Sequence, residues 1–187
     1  MMIAPISFVN MSLSGKSYEA AKREVRNLWR EINRLKKVIE EHPDSDEMMI
    51  CPMPDVQIST YRDYIEAAKE YFESQGWEYE YTKEEVADKE FNERLKDVQS
   101  IEIDYGGYFD GSGSRTIKFT KDLMLEELTE LHIGEWKKEY EDHCVLDGTQ
   151  WSVIFKYTDG KKRKFGGSSR YPYNFYAFLD VMQIDPI

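Results

Sequence analysis

The chain has 187 residues, with 25 basic and 36 acidic side chains for a net charge of −11, and is 41% hydrophobic and 14% aromatic. This is enough apolar surface for one ordinary domain or two small ones, and the aromatics are spread along the chain, which excludes a disordered polyanion. Two cysteines, Cys51 and Cys144, exclude a disulfide framework, and no run approaches the ~18 apolar residues of a membrane span.

Met1–Leu13 is fairly apolar but lacks a basic flank and carries Pro5 and Asn10, so it reads as a strand or docking arm rather than a signal peptide. With reduced cysteines and no span, a cytoplasmic protein with no membrane partner is expected. Ser14 or Ser17 can cap a helix over about 16–41, which His42-Pro43-Asp44 ends. Its apolar positions Tyr18, Ala21, Val25, Leu28, Ile32, Leu35 and Ile39 recur at alternating intervals of 3 and 4, and Trp29 widens the seam. That seam must lie on the rest of the chain or on a second copy, the latter giving self-association through the first helix.

Residues 43–59 read as a connector, too Pro-rich around Cys51-Pro52-Met53-Pro54 for a central strand or helix. Thr60 caps a helix over about 61–75 that Gly76 stops. Trp77–Tyr81 alternates as a short strand, and Thr82-Lys83-Glu84-Glu85 is a capping box for a helix over about 83–97. Ser100–Tyr105 alternates again, a Gly-rich loop over 106–113 follows, and Arg115–Phe119 returns as its partner. Leu123 to about Tyr140 is helical with Gly134 at its centre. Trp151–Tyr157 and Lys162–Phe165 flank the hairpin signal Asp159-Gly160, and a last helix carries Phe175, Phe178, Leu179 and Met182. The predicted fold is α+β, a mainly helical region over 1–97 followed by an antiparallel ββαββα domain over 98–187.

Charge is unevenly distributed. Residues 1–39 carry 8 basic and 3 acidic side chains, residues 40–147 carry 11 and 30, and residues 148–187 carry 6 and 3. An acidic middle between basic ends repels nucleic acid from one surface while admitting it, or an acidic protein, at another. Arg23, Arg26, Arg30, Arg34 and Lys37 recur at 3, 4, 4 and 3, a basic stripe beside the seam. Four of the five are arginine, suited to bidentate contact with phosphate or carboxylate. The stripe reads either as a solvated face paired with Glu19, Glu31 and the acidic middle, or as a surface for nucleic acid or an acidic partner. In Lys161–Lys164 only alternate members share a face, and half of that run reads as edge protection.

Conventional chemistry finds little support. Gly15-Lys16-Ser17 resembles the end of a phosphate-binding loop, but the required glycine is Asn10. The loop over 106–113 joins antiparallel strands, and Asp110 within it repels phosphate. Glu102, Asp104, Asp110 and Asp147 could share a divalent metal for phosphodiester chemistry, although only Glu102 and Asp104 are fixed relative to each other. His42, His132 and His143 have no ligand-pair spacing, His132 reads as a satisfied core residue, and His143-Cys144 lacks an orienting group. No cofactor or metal is therefore expected.

Trp136 and Tyr140, then Asp147-Gly148-Thr149-Gln150-Trp151, then Gly166–Asn174 with Tyr171-Pro172, form the pattern W-x-x-x-Y, D-G-x-x-W and G-x-x-x-Y-P-x-N-F. From Ile101 onward the chain thereby resembles a small domain of unknown function found in Firmicutes and their mobile elements. It departs from that pattern at Ser169, where asparagine is expected. Asp147, Gly148 and Trp151 read as a turn and core signature. The profile of a small acidic protein with a helical module is similar to type II-A anti-CRISPR proteins, which implies binding to a CRISPR effector nuclease at its basic channel or on its guide RNA. The leading expectation is a non-enzymatic binding protein acting as such an inhibitor through Arg23, Arg26, Arg30, Arg34 and Lys37. The alternatives are a metal-dependent nuclease or nuclease cofactor using Asp104, Asp110 or Asp147, and a self-associating interaction module.

Overall fold

The computed structural model describes residues 3–42, 51–106, 114–118, 121–141 and 149–185, and for 114–118 and 121–124 the backbone alone. By its contacts the chain divides into two units, Met1–Glu80 and Tyr81–Ile187.

In the first unit the N-terminal stretch is helical rather than a strand, and it docks on Tyr64 through Ile3 and Phe8. Pro5–Phe8 (α1) runs directly into a π-helical turn, Val9–Leu13. Pro5 occupies the first turn, where its missing N–H leaves nothing unsatisfied. Phe8 stacks on Tyr64 at 4.7 Å, and the Tyr64 hydroxyl accepts from Ile3 N at 2.9 Å and donates to Ile3 O at 2.8 Å. The long helix spans Tyr18–Glu41 (α2) and packs against Pro54–Ser74 (α3). Ala21, Val25, Trp29, Ile32 and Leu35 are buried, as are Ile58, Ile65, Ala68 and Phe72. The 3-4 seam is thus covered within the chain.

The segment 54–59, predicted as connector, is the start of α3. Pro54 lies in the first turn, where its fixed φ favours a helix, and Thr60 is internal, its hydroxyl donating to Val56 O at 2.9 Å instead of capping. The end of α3 follows the prediction. Gly76 adopts φ +66°, Gly76 N donates to Glu73 O and Trp77 N to Phe72 O, each at 2.9 Å. This is a Schellman closure, and its usual apolar contact is present as Trp77 against Phe72 at 5.6 Å. Residues 77–81 join no sheet among the described residues. Their alternation instead turns Trp77 toward Tyr18 and Tyr71 and sets Tyr79 where its hydroxyl accepts from Trp29 Nε1 at 3.3 Å.

The second unit opens with Lys83–Leu95 (α4). Its capping box is formed as predicted, with Glu85 N donating to Thr82 Oγ1 at 3.1 Å and Thr82 N to Glu85 Oε2 at 2.8 Å. The sequence boundary drawn at 97/98 assigns this helix to the N-terminal region, whereas its contacts place it with the sheet. Phe91 and Leu95 belong to the second unit's core. The strands are Val98–Gly106 (β1), Ser114–Lys118 (β2), Glu139–Glu141 (β3), Gln150–Tyr157 (β4) and Lys162–Ser168 (β5). They form one five-stranded sheet in the order β2-β1-β4-β5-β3. The hairpin pairings β1–β2 and β4–β5 are antiparallel, as predicted; β1–β4 is antiparallel as well and β3–β5 is parallel, so the sheet is mixed.

The difference from ββαββα comes from one segment. The helix predicted to reach Tyr140 covers only Lys121–Glu130 (α5), followed by a 3-10 turn at Ile133–Glu135 and then β3. His132 takes a left-handed conformation, φ 51°, and the turn lies against α4. A Cβ at Gly134 would stand 2.7 Å from Ala87 O and 2.8 Å from Phe91 Cβ. Only glycine allows α4 and the turn to come this close.

Alternation decides which sheet face is buried. Ile101, Ile103 and Tyr105 of β1, Trp151, Val153, Phe155 and Tyr157 of β4, and Phe165 of β5 join one core with Leu128 and with Phe175, Phe178 and Leu179 of Phe175–Val181 (α6). The aromatics of the sequence pattern meet here. Trp136 lies 6.3 Å from Trp151 and 5.4 Å from Phe165, Trp151 lies 4.6 Å from Phe175, and Tyr171 stacks on Phe175 at 5.0 Å. Ser169 has φ 51°, a conformation asparagine tolerates better than serine, which gives the pattern's asparagine a backbone reason.

Gly134→Ala is expected to lower the unfolding free energy by about 1–3 kcal/mol in urea denaturation, through overpacking against α4; an unchanged midpoint would mean the two elements can separate without cost. Ser169→Asn is expected to raise stability by up to about 1 kcal/mol, and a drop in stability would show that the serine hydroxyl is needed.

Candidate functional site

Arg23, Arg26, Arg30, Arg34 and Lys37 are all exposed on α2. Burying the apolar seam on α3 leaves the remaining side of α2 to solvent, and the 3-4 spacing holds the five cations in a row there. The pairings of Arg30, Arg34 and Lys37 are short-range and exposed. Arg34 Nε donates to Glu31 Oε2 at 2.9 Å, Arg30 Nη1 to Asn27 Oδ1 at 3.1 Å, and Lys37 Nζ lies 3.6 Å from Glu41 Oε1. Such pairs contribute a few tenths of a kcal/mol each, about what a stronger anionic partner would displace.

Arg26 Nη2 lies 3.7 Å from Glu80 Oε2, and Glu80 also bonds Lys22. The Lys22 hydrogen bond holds the Glu80 carboxyl below the ordinary glutamate value, with Arg26 adding to the effect, and the same bond raises Lys22. Glu80 therefore adds stability above the ordinary glutamate value, lost as pH falls through its depressed one. Lys22 adds stability below the ordinary lysine value, lost as pH rises through its raised one.

The sequence reading did not single out a second row, on α3. Asp63, Glu66, Glu70 and Glu73 recur at 3, 4 and 3 and are all exposed. Lys69 Nζ bonds Glu66 at 2.7 Å. The same spacing count that finds the basic stripe finds this one. The N-terminal unit therefore carries a cationic row on one helix and an anionic row on the next.

Of the carboxylates read as a possible metal site, Glu102 and Asp104 lie within the described residues, on one face of β1 as expected. Asp104 is exposed on the open face of the sheet, and Glu102, on the same face of β1, bonds Lys156 of β4. Asp110 and Asp147 lie outside the described residues, as do His143, Cys144 and the loop residues 107–113. In the second basic run, Lys162 and Lys164 are exposed. Arg163 instead turns inward beside Phe91 and Phe165, at 5.0 and 5.2 Å, and burial lowers its pKa. A groove of about 370 Å³ lies over Gly166, with Lys138, Lys164, Glu139 and Glu141 among its lining. Its walls carry both signs of charge and select no ligand charge.

A further polar cluster escaped the sequence reading because it is assembled by tertiary contact. His132, predicted on an apolar helix face, lies beyond the end of α5, and its Nδ1 is 2.7 Å from Asp88 Oδ2 of α4. Asp88, a buried carboxylate, accepts from Gly134 N at 3.0 Å and from Asn92 Nδ2 at 3.2 Å. Donor atoms of Asp88, His132 and Glu135 all lie within 4.8 Å of one another. The local signal was Gly134, a glycine inside what reads as a helix.

No protein family, curated protein or solved structure matches the chain. No described helix is long and apolar enough to cross a membrane.

In a carboxyl-carbon NMR titration, Glu80 is expected to titrate below the ordinary glutamate range, and Lys22→Gln to move the midpoint back up; a midpoint indifferent to that substitution would remove the pair.

Proposed function

We propose that the chain is a non-enzymatic binding protein whose N-terminal helical unit engages a ribonucleoprotein. The row Arg23, Arg26, Arg30, Arg34 and Lys37 faces RNA or an acidic patch. The row Asp63, Glu66, Glu70 and Glu73 faces a basic protein surface. The observation that carries this reading is that all five cations of the α2 row are exposed while the seam beside them is buried against α3. A helix with its apolar side already covered has its charged side left for recognition. Arginine-rich rows match phosphate geometry, and the pairings they would exchange are weak.

The partner class implied by the resemblance to type II-A anti-CRISPR proteins is an RNA-guided nuclease with its guide RNA. Such a partner presents both anionic RNA and a basic channel, the two surfaces that complementary rows require. The C-terminal unit then serves as a scaffold, its pattern residues Trp136, Trp151, Tyr171 and Phe175 being engaged in packing.

The test is affinity capture from a lysate containing such a nuclease, with and without RNase, followed by a cleavage assay on the captured complex. A stoichiometric, salt-sensitive complex that blocks cleavage is expected. Reversing Arg26, Arg30 and Arg34 to glutamate should weaken it at least about tenfold and reduce the salt slope by about one for each phosphate no longer neutralised. Reversing Glu66, Glu70 and Glu73 to lysine should weaken it without reducing that slope. Binding and inhibition equal to wild type in both triple variants would sink the proposal, as would capture of the chain only by itself.

A further inference from the structure

We propose that Asp88, His132 and Glu135 form a binding site for a divalent first-row transition ion, zinc in the first instance, in the C-terminal unit. Their donor atoms, one imidazole nitrogen and two carboxylate oxygens, lie within 4.8 Å of one another, a spacing that a small side-chain rotation draws in to the span of a single ion. Zinc sits about 2.0–2.2 Å from such nitrogen and oxygen ligands, and one histidine with two carboxylates is a borderline-hard set that suits zinc, manganese or ferrous iron better than copper(I).

The scaffold holds these groups from two elements. Asp88 projects from α4, and His132 and Glu135 flank Gly134 in the 3-10 turn, three positions apart. Gly134 lets the turn close on the Asp88 backbone, and its N–H, bonded to Asp88 Oδ1 at 3.0 Å, fixes the carboxylate. Support of this kind around a ligand orients it for metal. The two carboxylates bring two negative charges to balance a divalent ion. The His132 side chain is 31% exposed, which leaves an approach from solvent.

An independent observation points the same way. Asn92 Oδ1 is buried with no hydrogen-bond partner among the described residues, while the same amide donates through Nδ2 to Asp88 Oδ2 at 3.2 Å. A buried acceptor without a donor costs stability, so the amide keeps its Nδ2 on Asp88 at a cost, and the carboxylate is held from a second side as a metal ligand is. An opposing charge is nearby. Arg163 Nη2 donates to Gly134 O at 3.1 Å, and Asp88 acts on it electrostatically. The positive charge of Arg163 works against the ion, and the bond it makes to the turn is to backbone.

The experiment titrates zinc, and cobalt(II) as a spectroscopic probe, into the full-length chain after chelator treatment. Calorimetry should give one equivalent per chain, and cobalt should develop ligand-field bands. His132→Asn keeps a residue that tolerates the left-handed conformation and removes the imidazole, and Glu135→Gln removes one carboxylate charge. Both should keep the wild-type circular dichroism spectrum and weaken binding at least about tenfold. Zinc should also raise the melting temperature of wild type more than that of either variant. Absence of saturable binding would overturn the proposal. So would uptake of several equivalents that neither substitution changes, since that is adventitious binding to the acidic surface.

Discussion

Trp136 and Trp151 each bring an indole N–H into the core of the C-terminal unit, where a donor without an acceptor costs about 1–3 kcal/mol. Trp136 Nε1 donates to Asn174 Oδ1 at 2.8 Å, and Trp151 Nε1 donates to Arg170 O at 2.8 Å. Asn174 in turn bonds Leu131 O. Asn174 stands at the N-cap of α6, where asparagine ordinarily caps, yet its side chain makes no cap bond. Its amide is committed to the indole and to the carbonyl just past α5. One side chain thus ties the end of α5, the segment before β3 and the start of α6 around Trp136. The rings Phe165, Trp151, Phe175 and Phe178 pack against that indole at 5.3–6.3 Å.

The described aromatics of the sequence pattern, Trp136, Trp151, Tyr171 and Phe175, are engaged in packing this core. The N-terminal unit is built on a simpler rule, one apolar seam closed on a second helix. Each of its two long helices keeps a charged row, of opposite sign on α2 and α3. Its aromatic return segment, Trp77 to Tyr79, places Glu80 beside Lys22 and Arg26, so part of the cationic face is tuned by the chain that leaves the unit.

Elements with strong local chemistry were legible in the sequence. The seam of α2, the Thr82 capping box, the Gly76 stop and the alternation of β1 and β4 follow from spacing and turn residues alone. The misreadings have physical causes. Pro54 reads as helix-excluding, but a proline in the first turn is compatible with a helix. Trp77 and Tyr79 alternate because their rings address a helix pair, a pattern that strand pairing also produces. The helix expected through Tyr140 breaks at His132 because contact with α4 favours a tight turn over continued helix. Asp88 and His132 lie 44 positions apart, beyond the reach of any local motif, so that cluster could be found only once the chain was folded. The cation row was legible because it occupies one helix, and the acid row on α3 was open to the same count.

The placement of α4 bears on the order in which the protein can assemble during synthesis. Its capping box lets it become helical as soon as it emerges, but the elements of its own unit that it packs on do not yet exist. The turn that satisfies Asp88 arrives 44 to 46 residues later, and Asp159, the partner of Arg94, arrives 65 residues later. Phe91 must also wait for Phe155 and Phe165 of the last two strands. Pairings so distant in sequence close slowly, and apolar surface left open meanwhile invites association with other chains. The C-terminal unit therefore cannot set its first helix in place until its last hairpin has been made.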